Sequence, residues 1–271
     1  INLIGYVMPN RHQGLRQKDG VIKIAGEFTS YSASEQERQQ KLYDLATSLM
    51  PKYGQNWHRH SQVTMRVGAL SRALYYNYLY QKIVDVPGVV CEFGVQWGAT
   101  LTELIHLRSI YEPFNYSRTI VGFDTFEGFP NVDTKDGGFS NVGDYSSTEG
   151  YEHTLESILE LHESFAPLSH IKKFQLVKGD ASRTINEWLT NNPHAIISMA
   201  IFDMDIYQPT KDVLQKIIPR LTKGSVLVFD ELNCSFFPGE TRALDEVIGI
   251  NKLALKRSPL QPFGAWATFG D

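Results

Sequence analysis

One stretch constrains this chain more than any other: Val89-Val90-Cys91-Glu92-Phe93-Gly94-Val95-Gln96-Trp97-Gly98. Apolar residues lead into an acid, two glycines follow, and a helix-like run from Ala99 to Leu107 comes next. A strand, a tight turn and a helix in that order form the unit with which open α/β sheets hold a nucleotide-like cofactor. Glycine removes the Cβ that would keep the backbone away from such a ligand.

The same stretch bears on which cofactor. The dinucleotide pattern G-x-G-x-x-G turns amides and a helix N-terminus toward a pyrophosphate. Here the pattern is E-x-G-x-x-x-G, with Glu92, Gly94 and Gly98. Glu92 would repel a pyrophosphate. It suits a cofactor carrying an ammonium and a sulfonium, and S-adenosylmethionine has both. The competing reading is a ligand-free turn that merely needs glycine.

The rest of the chain alternates. Strands are expected over 88–93, 119–124, 173–178, 196–202 and 225–230. Helices are expected over 99–110, 150–165, 183–190, 209–221 and 240–248, with two further strands in 252–269. Repeated β-α units with apolar strands imply a parallel sheet covered on both faces, here with an antiparallel finish. Before this region, Ser34 to Glu37 opens a helix that Pro51 closes, and a Tyr- and Leu-rich helix covers 62–84 until Pro87-Gly88. Residues 1–33 show no clear period. Residues 1–61 read as a lid or oligomerisation segment carrying Tyr6, Phe28, Tyr31, Tyr53 and Trp57, ahead of a main domain over 62–271. The long Gly- and Asp-rich loop 127–148 is expected to close over the site, because loops of that length in compact domains are functional or disordered.

Ligands of such sheets sit at the carboxyl ends of the strands. Every main strand ends in acid: Glu92, Asp124, Asp180, Asp203 with Asp205, and Asp230 with Glu231. Asp124 is placed to accept ribose hydroxyls. Asp180 could meet an adenine amino group or cap the next helix. Asp203 and Asp205 share a face if their strand continues, and either could act as a base. Gathered with Asp230 and Glu231, they make a hard-oxygen site that suits Mg²⁺. The alternatives are a carboxylate cluster held by Lys or Arg, or solvated helix caps. His58 and His60, beside Trp57, read as a surface connector or a substrate-facing lid, and His106 as structural.

Composition excludes several classes. The chain has 271 residues, is 42% hydrophobic and 21% charged, and carries a net charge of −4. Neither a nucleic-acid nor an anionic-membrane surface is suggested. Cys91 and Cys234 lie in or beside expected strands and read as buried reduced thiols. No membrane span or signal-peptide pattern is present, and a cytoplasmic protein is the expectation. The chain begins at Ile1 rather than Met, which leaves room for an upstream segment.

Over residues 62 to 269 the chain resembles the macrocin O-methyltransferase (TylF-like) family, S-adenosylmethionine-dependent enzymes that methylate sugar hydroxyls. The matching stretches are Pro87 to Val95, Gly122-Phe123-Asp124-Thr125-Phe126-Glu127-Gly128-Phe129-Pro130, Asp203 to Thr210, and Lys223 to Glu231. The block D-[ST]-F-E-G-x-P is the most family-specific. The resemblance implies a Rossmann-like class I methyltransferase fold, α/β, with a mostly parallel seven-stranded sheet and an antiparallel last strand. It implies that Glu92, Gly94 and Asp124 hold the cofactor, that Asp180 lies near the adenine, and that Asp203, Asp230 and Glu231 hold Mg²⁺. The chain departs from the family pattern at Glu231 in place of Asp, Asn233 in place of Tyr, and Trp97 in place of Arg.

The resulting expectation is Mg²⁺-dependent transfer of a methyl group to a hydroxyl of a sugar or glycosylated small molecule by a homo-oligomeric enzyme. The donor-binding set is Glu92, Gly94, Gln96, Gly98, Asp124, Thr125, Phe126, Asp180 and Ala181; the metal set is Asp203, Asp230 and Glu231; the base is Asp203 or Asp205. Rival readings are a non-catalytic binding module and a metal-dependent oxygenase. The oxygenase would want a His ligand, and no His ends a strand. A dehydrogenase lacks its glycine fingerprint here.

Overall fold

The structure is a computed structural model that describes residues 21–24, 27–30 and 33–270. The chain divides into two compact units, Ile1–Ser71 and Arg72–Asp271. Tyr6 and Tyr31, two of the aromatics noted above, lie outside the described residues.

The first unit contains an antiparallel pair, β1 (Val21–Ile24) and β2 (Glu27–Ser30), which the sequence pattern did not reveal. Helix α1 (Ala33–Leu49) follows, and Pro51 ends it by entering a 3₁₀ turn. The connector at Trp57–His60 is a single helical turn, α2. Helix α3 (Val67–Ile83) starts later than its sequence pattern suggests, because Met65 is extended (φ −66°, ψ 130°). Among the described residues no helix is long and apolar enough to cross a membrane.

The second unit is built on a seven-stranded sheet. Its strands are β3 (Val89–Phe93), β4 (Ile120–Asp124), β5 (Phe174–Lys178), β6 (Ile197–Phe202), β7 (Leu221–Phe229), β8 (Lys256–Arg257) and β9 (Ala265–Thr268). The order is β5-β4-β3-β6-β7-β9-β8, parallel as far as β7, with β9 antiparallel to both its neighbours. This is the mostly parallel seven-stranded sheet with an antiparallel last strand that the resemblance implies. Five helices connect the strands: α4 (Ala99–Tyr111), α5 (Tyr151–Ser164), α6 (Ala181–Asn191), α7 (Tyr207–Ile217) and α8 (Gly239–Val247). Helix α7 stops before the expected position because Pro219 falls in a 3₁₀ turn, and β7 begins directly after it.

Two apolar layers cover the sheet. Val90, Met199, Ile201, Val226 and Val228 face α3, α4 and α5; Cys91, Ala200 and Leu227 face α6, α7 and α8. Both cysteines are buried and free. On the second face, just below the carboxyl edge, four phenylalanines stack in a row across four strands. Phe123, Phe93, Phe202 and Phe229 lie 4.8, 5.5 and 5.0 Å apart, centroid to centroid. They occupy matched register positions. The residue after each is therefore delivered to one line at the sheet edge, and those residues are Asp124, Gly94, Asp203 and Asp230.

Candidate active site

Strand order reverses between β3 and β6, the place where open α/β sheets take their ligands. A cavity of about 340 Å³ opens there. Main-chain bonds carry the register past the strand ends: Gly94 N donates to Phe123 O, Asp203 N to Phe93 O, and Asp230 N to Phe202 O, all within 3.0 Å. Gly94 has a φ of +94°, and a Cβ there would lie 2.6 Å from the Asp203 carbonyl carbon. Only glycine fits that approach. Gly98 has a φ of +80° and faces the Leu155 side chain in the same way.

Asp124 organises the turn. Its Oδ2 accepts from Val95 N (2.6 Å) and Gln96 N (2.8 Å), and its Oδ1 accepts from Phe126 N (2.5 Å). Gln96 and Phe126 are both non-glycine residues at positive φ, +48° and +58°. Burial raises the Asp124 pKa, and the three backbone donors pull it back. Ionised carboxylates have about four acceptor sites, so capacity for a ligand hydroxyl remains. Thr125 Oγ1 closes a tight turn by donating to Gly128 O (2.7 Å). The Phe126 side chain packs in the core, and what this residue gives the site is its amide.

The remaining candidates separate. Gln96, Asp124, Thr125 and Ala181 line the cavity. Asp180 does not: its carboxylate accepts from Ser182 N (2.9 Å) and caps α6. Glu92 is buried, lines the cavity, and its Oε2 has no hydrogen-bond partner. Burial, and then Asp203, push its pKa well above the usual range.

The acidic cluster comes together at the cavity only in part, for Glu231 does not line it. Asp203, Asp205 and Asp230 line the cavity. Asp205 is buried in a left-handed backbone conformation (φ +62°). Burial, and then Glu231, raise its pKa strongly. Burial and Asp230 bring Asp203 to about 7. Glu231 is pushed to about 8, chiefly by burial, and its Oε2 is buried without a partner. Its amide donates to Glu240 on α8 (3.1 Å).

None of the sequence's candidate site residues lies on α3. Arg72 reaches from this helix into the cluster: Nη2 donates to Asp203 Oδ2 (2.7 Å), and Nη1 approaches Asp230 at 3.3 and 3.4 Å. Its Nε donates to Thr100 Oγ1 (3.1 Å), and its guanidinium lies 5.2 Å from the Tyr76 ring centre. In this arrangement an arginine pairs with two acids of the cluster. Among the described residues no group of three His, Cys, Asp or Glu side chains is placed to hold a metal ion. A signal was present. Arg72, Tyr75, Tyr76, Leu79, Tyr80 and Ile83 recur at helical spacing, and an arginine on an otherwise buried stripe needs a partner.

The other wall is aromatic. Phe129 and Tyr145, from the 127–148 loop, line the cavity with Trp97. Phe129 contacts Tyr145 at 5.3 Å, and Tyr145 contacts Phe237 at 6.2 Å. The loop is pinned by Asp136, whose Oδ1 accepts from Tyr207 N at the start of α7 (2.5 Å), and by the Lys135–Glu246 pair (3.0 Å).

A family model, macrocin-O-methyltransferase (TylF), matches residues 28–253. The chain belongs to this family. It is therefore an O-methyltransferase of the S-adenosylmethionine-dependent class, which decides against a non-catalytic module and an oxygenase. Among solved structures, the chain is similar to CalS11, calicheamicin methyltransferase. The two share 38% identity over 90% of this chain and 96% of that one, with a TM-score of 0.86. An apo structure of CalS11, described as a TDP-rhamnose 3′-O-methyltransferase of calicheamicin biosynthesis, matches at 35% identity over 90% and 97% of the two chains (TM-score 0.79). The O-methyltransferase NovP shares the fold at 18% identity, covering 73% of this chain and 79% of that one (TM-score 0.55). No match emerges among curated protein sequences.

Proposed function

We propose that this methyltransferase transfers the methyl group of S-adenosylmethionine to a hydroxyl of a sugar, free in a glycoside or carried on a nucleotide, in natural-product biosynthesis. The observation that carries this reading is the single cavity that joins the glycine turn to Asp203 and Asp205. The similarity to CalS11, described as a TDP-rhamnose 3′-O-methyltransferase, supports the sugar. The Phe129, Tyr145 and Trp97 wall supports it too, since aromatic faces suit the apolar face of a sugar ring.

An aliphatic hydroxyl is a weak nucleophile, with a pKa near that of water, about 15.7. A carboxylate of the Asp203–Asp205 pair accepts its proton as the oxygen attacks. The new O–CH₃ bond forms as the S–CH₃ bond breaks, and the sulfonium leaves as a neutral thioether. No covalent enzyme intermediate is required, and holding the two reactants in line supplies much of the rate.

The reading includes Mg²⁺. The donor atoms of Asp203, Asp230 and Glu231 are all hard oxygens, and the buried Glu231 Oε2 has no hydrogen-bond partner, which leaves it for a cation. Those three residues would hold the ion. When bound, it supplies Lewis-acid activation of a hydroxyl. The protein acts as a homo-oligomer in the cytoplasm, a point that light scattering and fractionation check.

The experiment is methyl transfer from labelled S-adenosylmethionine to a panel of nucleotide sugars and glycosides, with EDTA or with Mg²⁺. Transfer to a sugar hydroxyl that EDTA abolishes and Mg²⁺ restores is the expected result. Full transfer in a rigorously metal-free assay removes Mg²⁺ from the reading, and no transfer to any sugar removes the substrate class.

A further inference from the structure

The methyl donor carries three charges: a sulfonium, an ammonium and an α-carboxylate. The cavity is rich in acid, which suits the first two. The third needs a cation, and among the described residues lining the cavity Arg72 is the only cationic side chain.

Its position fits that task. Arg72 stands at the start of the second unit, and its Nε bonds Thr100, the second residue of α4, directly after the glycine turn. The amino-acid end of a donor lying along that turn would meet Arg72 and Glu92, which line the same cavity. Glu92 Oε2 is buried and unpartnered in the same cavity, ready for an ammonium. Not all of Arg72's contacts are equal. Asp203 is held at 2.7 Å, whereas Asp230 lies at 3.3 and 3.4 Å, at the long edge of hydrogen bonding. One arm of the guanidinium fork is therefore weakly committed.

We propose that Arg72 is the binding residue for the α-carboxylate of the methyl donor, taking it in place of the long contact to Asp230. Glu92 takes the adjacent ammonium. This rests on the reading of the cavity as the donor site. A planar fork with five N–H donors can hold Asp203 and the incoming carboxylate at once, which a lysine cannot reproduce. The exchange also leaves Asp230 for the divalent cation proposed above.

The test compares two probes by calorimetry on the full chain. S-adenosylhomocysteine has the carboxylate; 5′-methylthioadenosine lacks the whole amino-acid end. Arg72→Met should weaken S-adenosylhomocysteine by about ten- to a hundredfold, the size of a lost charged hydrogen bond. It should leave 5′-methylthioadenosine unchanged, and Arg72→Lys should recover part of the loss. Equal weakening of both probes, or of neither, overturns the proposal. A second measurement does not depend on the variant folding. The wild type should bind decarboxylated S-adenosylhomocysteine about ten- to a hundredfold more weakly than the parent, and equal binding overturns the assignment. A wild type that binds neither S-adenosylhomocysteine nor 5′-methylthioadenosine overturns the donor reading itself.

Discussion

Removing the Asp124 carboxylate should damage the empty protein as well as its ligand affinity. Three backbone amides, those of Val95, Gln96 and Phe126, donate to it at 2.5–2.8 Å. Two of those residues hold positive φ without being glycine, a conformation that costs roughly 1–2 kcal/mol for an L-residue. The carboxylate is what offsets that strain. A hydrogen bond to a charged group is worth about 1.5–3 kcal/mol. The three are coupled through one side chain and lie beside a cavity where water can replace part of them. Asp124→Ala is therefore expected to cost about 2–4 kcal/mol rather than the full sum. Asp124→Asn keeps one carbonyl oxygen and should lose about half as much. Urea unfolding of the ligand-free variants measures this, and calorimetry with S-adenosylhomocysteine measures the second effect, a loss of about 1.5–3 kcal/mol of binding if the ribose hydroxyls also use this carboxylate. An Asp124→Ala protein as stable as the wild type would refute the account of the turn. Wild-type affinity in a destabilised variant would refute the ribose role.

Three further outcomes are expected. Asp203 and Glu231 have folded-state pKa values raised to about 7 and about 8. Their stabilising contribution is full below the ordinary carboxylate range and is lost as pH rises through those values. Melting in EDTA should therefore fall between pH 6 and 8, and Mg²⁺ should restore more stability at pH 8 than at pH 6; a flat profile in EDTA would contradict the crowding of these acids. Gly94→Ala meets both a positive φ and the Asp203 backbone carbonyl, so it should cost at least the roughly 1–3 kcal/mol of an overpacked core site; an unaltered urea midpoint would show that the turn can move. Deleting residues 1–61 should reduce methyl transfer and change the mass in solution; a fully active truncation of unchanged oligomeric state would remove the assembly and lid role from that segment.

The β-α alternation was legible because a strand buried on both faces leaves a continuous apolar run, and each such run here ends in Gly or acid. That was enough to give the glycine turn and to put Asp203, Asp205 and Asp230 at strand ends, while the strand order and its reversal between β3 and β6 came only with the structure. The antiparallel pair β1–β2 escaped because two four-residue strands carry no periodicity to read. Arg72 escaped for a different reason. It is distant in sequence from Asp203 and Asp230, and only tertiary packing of α3 brings them together. Asp180 was open between helix cap and adenine contact, and its bond to Ser182 accounts for the carboxylate without a ligand. Which acids share a proton or a cation is a matter of distances of a few ångströms, and spacing along a chain does not encode those.

The stacked row of Phe123, Phe93, Phe202 and Phe229 has an evolutionary consequence. Asp124, Gly94, Asp203 and Asp230 each hang from one member of the row, so the sheet itself sets their spacing. Phe129 and Tyr145 of the aromatic wall come instead from the 127–148 segment, which attaches through side-chain contacts such as Asp136 to Tyr207 and Phe139 to Phe236. On the proposed function, most of the wall facing the acceptor is thus mechanically separate from the acids. Insertions and substitutions in that loop should retarget the enzyme to a new acceptor while the acids keep their places, so diversification within such a lineage should be concentrated there and nearly silent along the phenylalanine row.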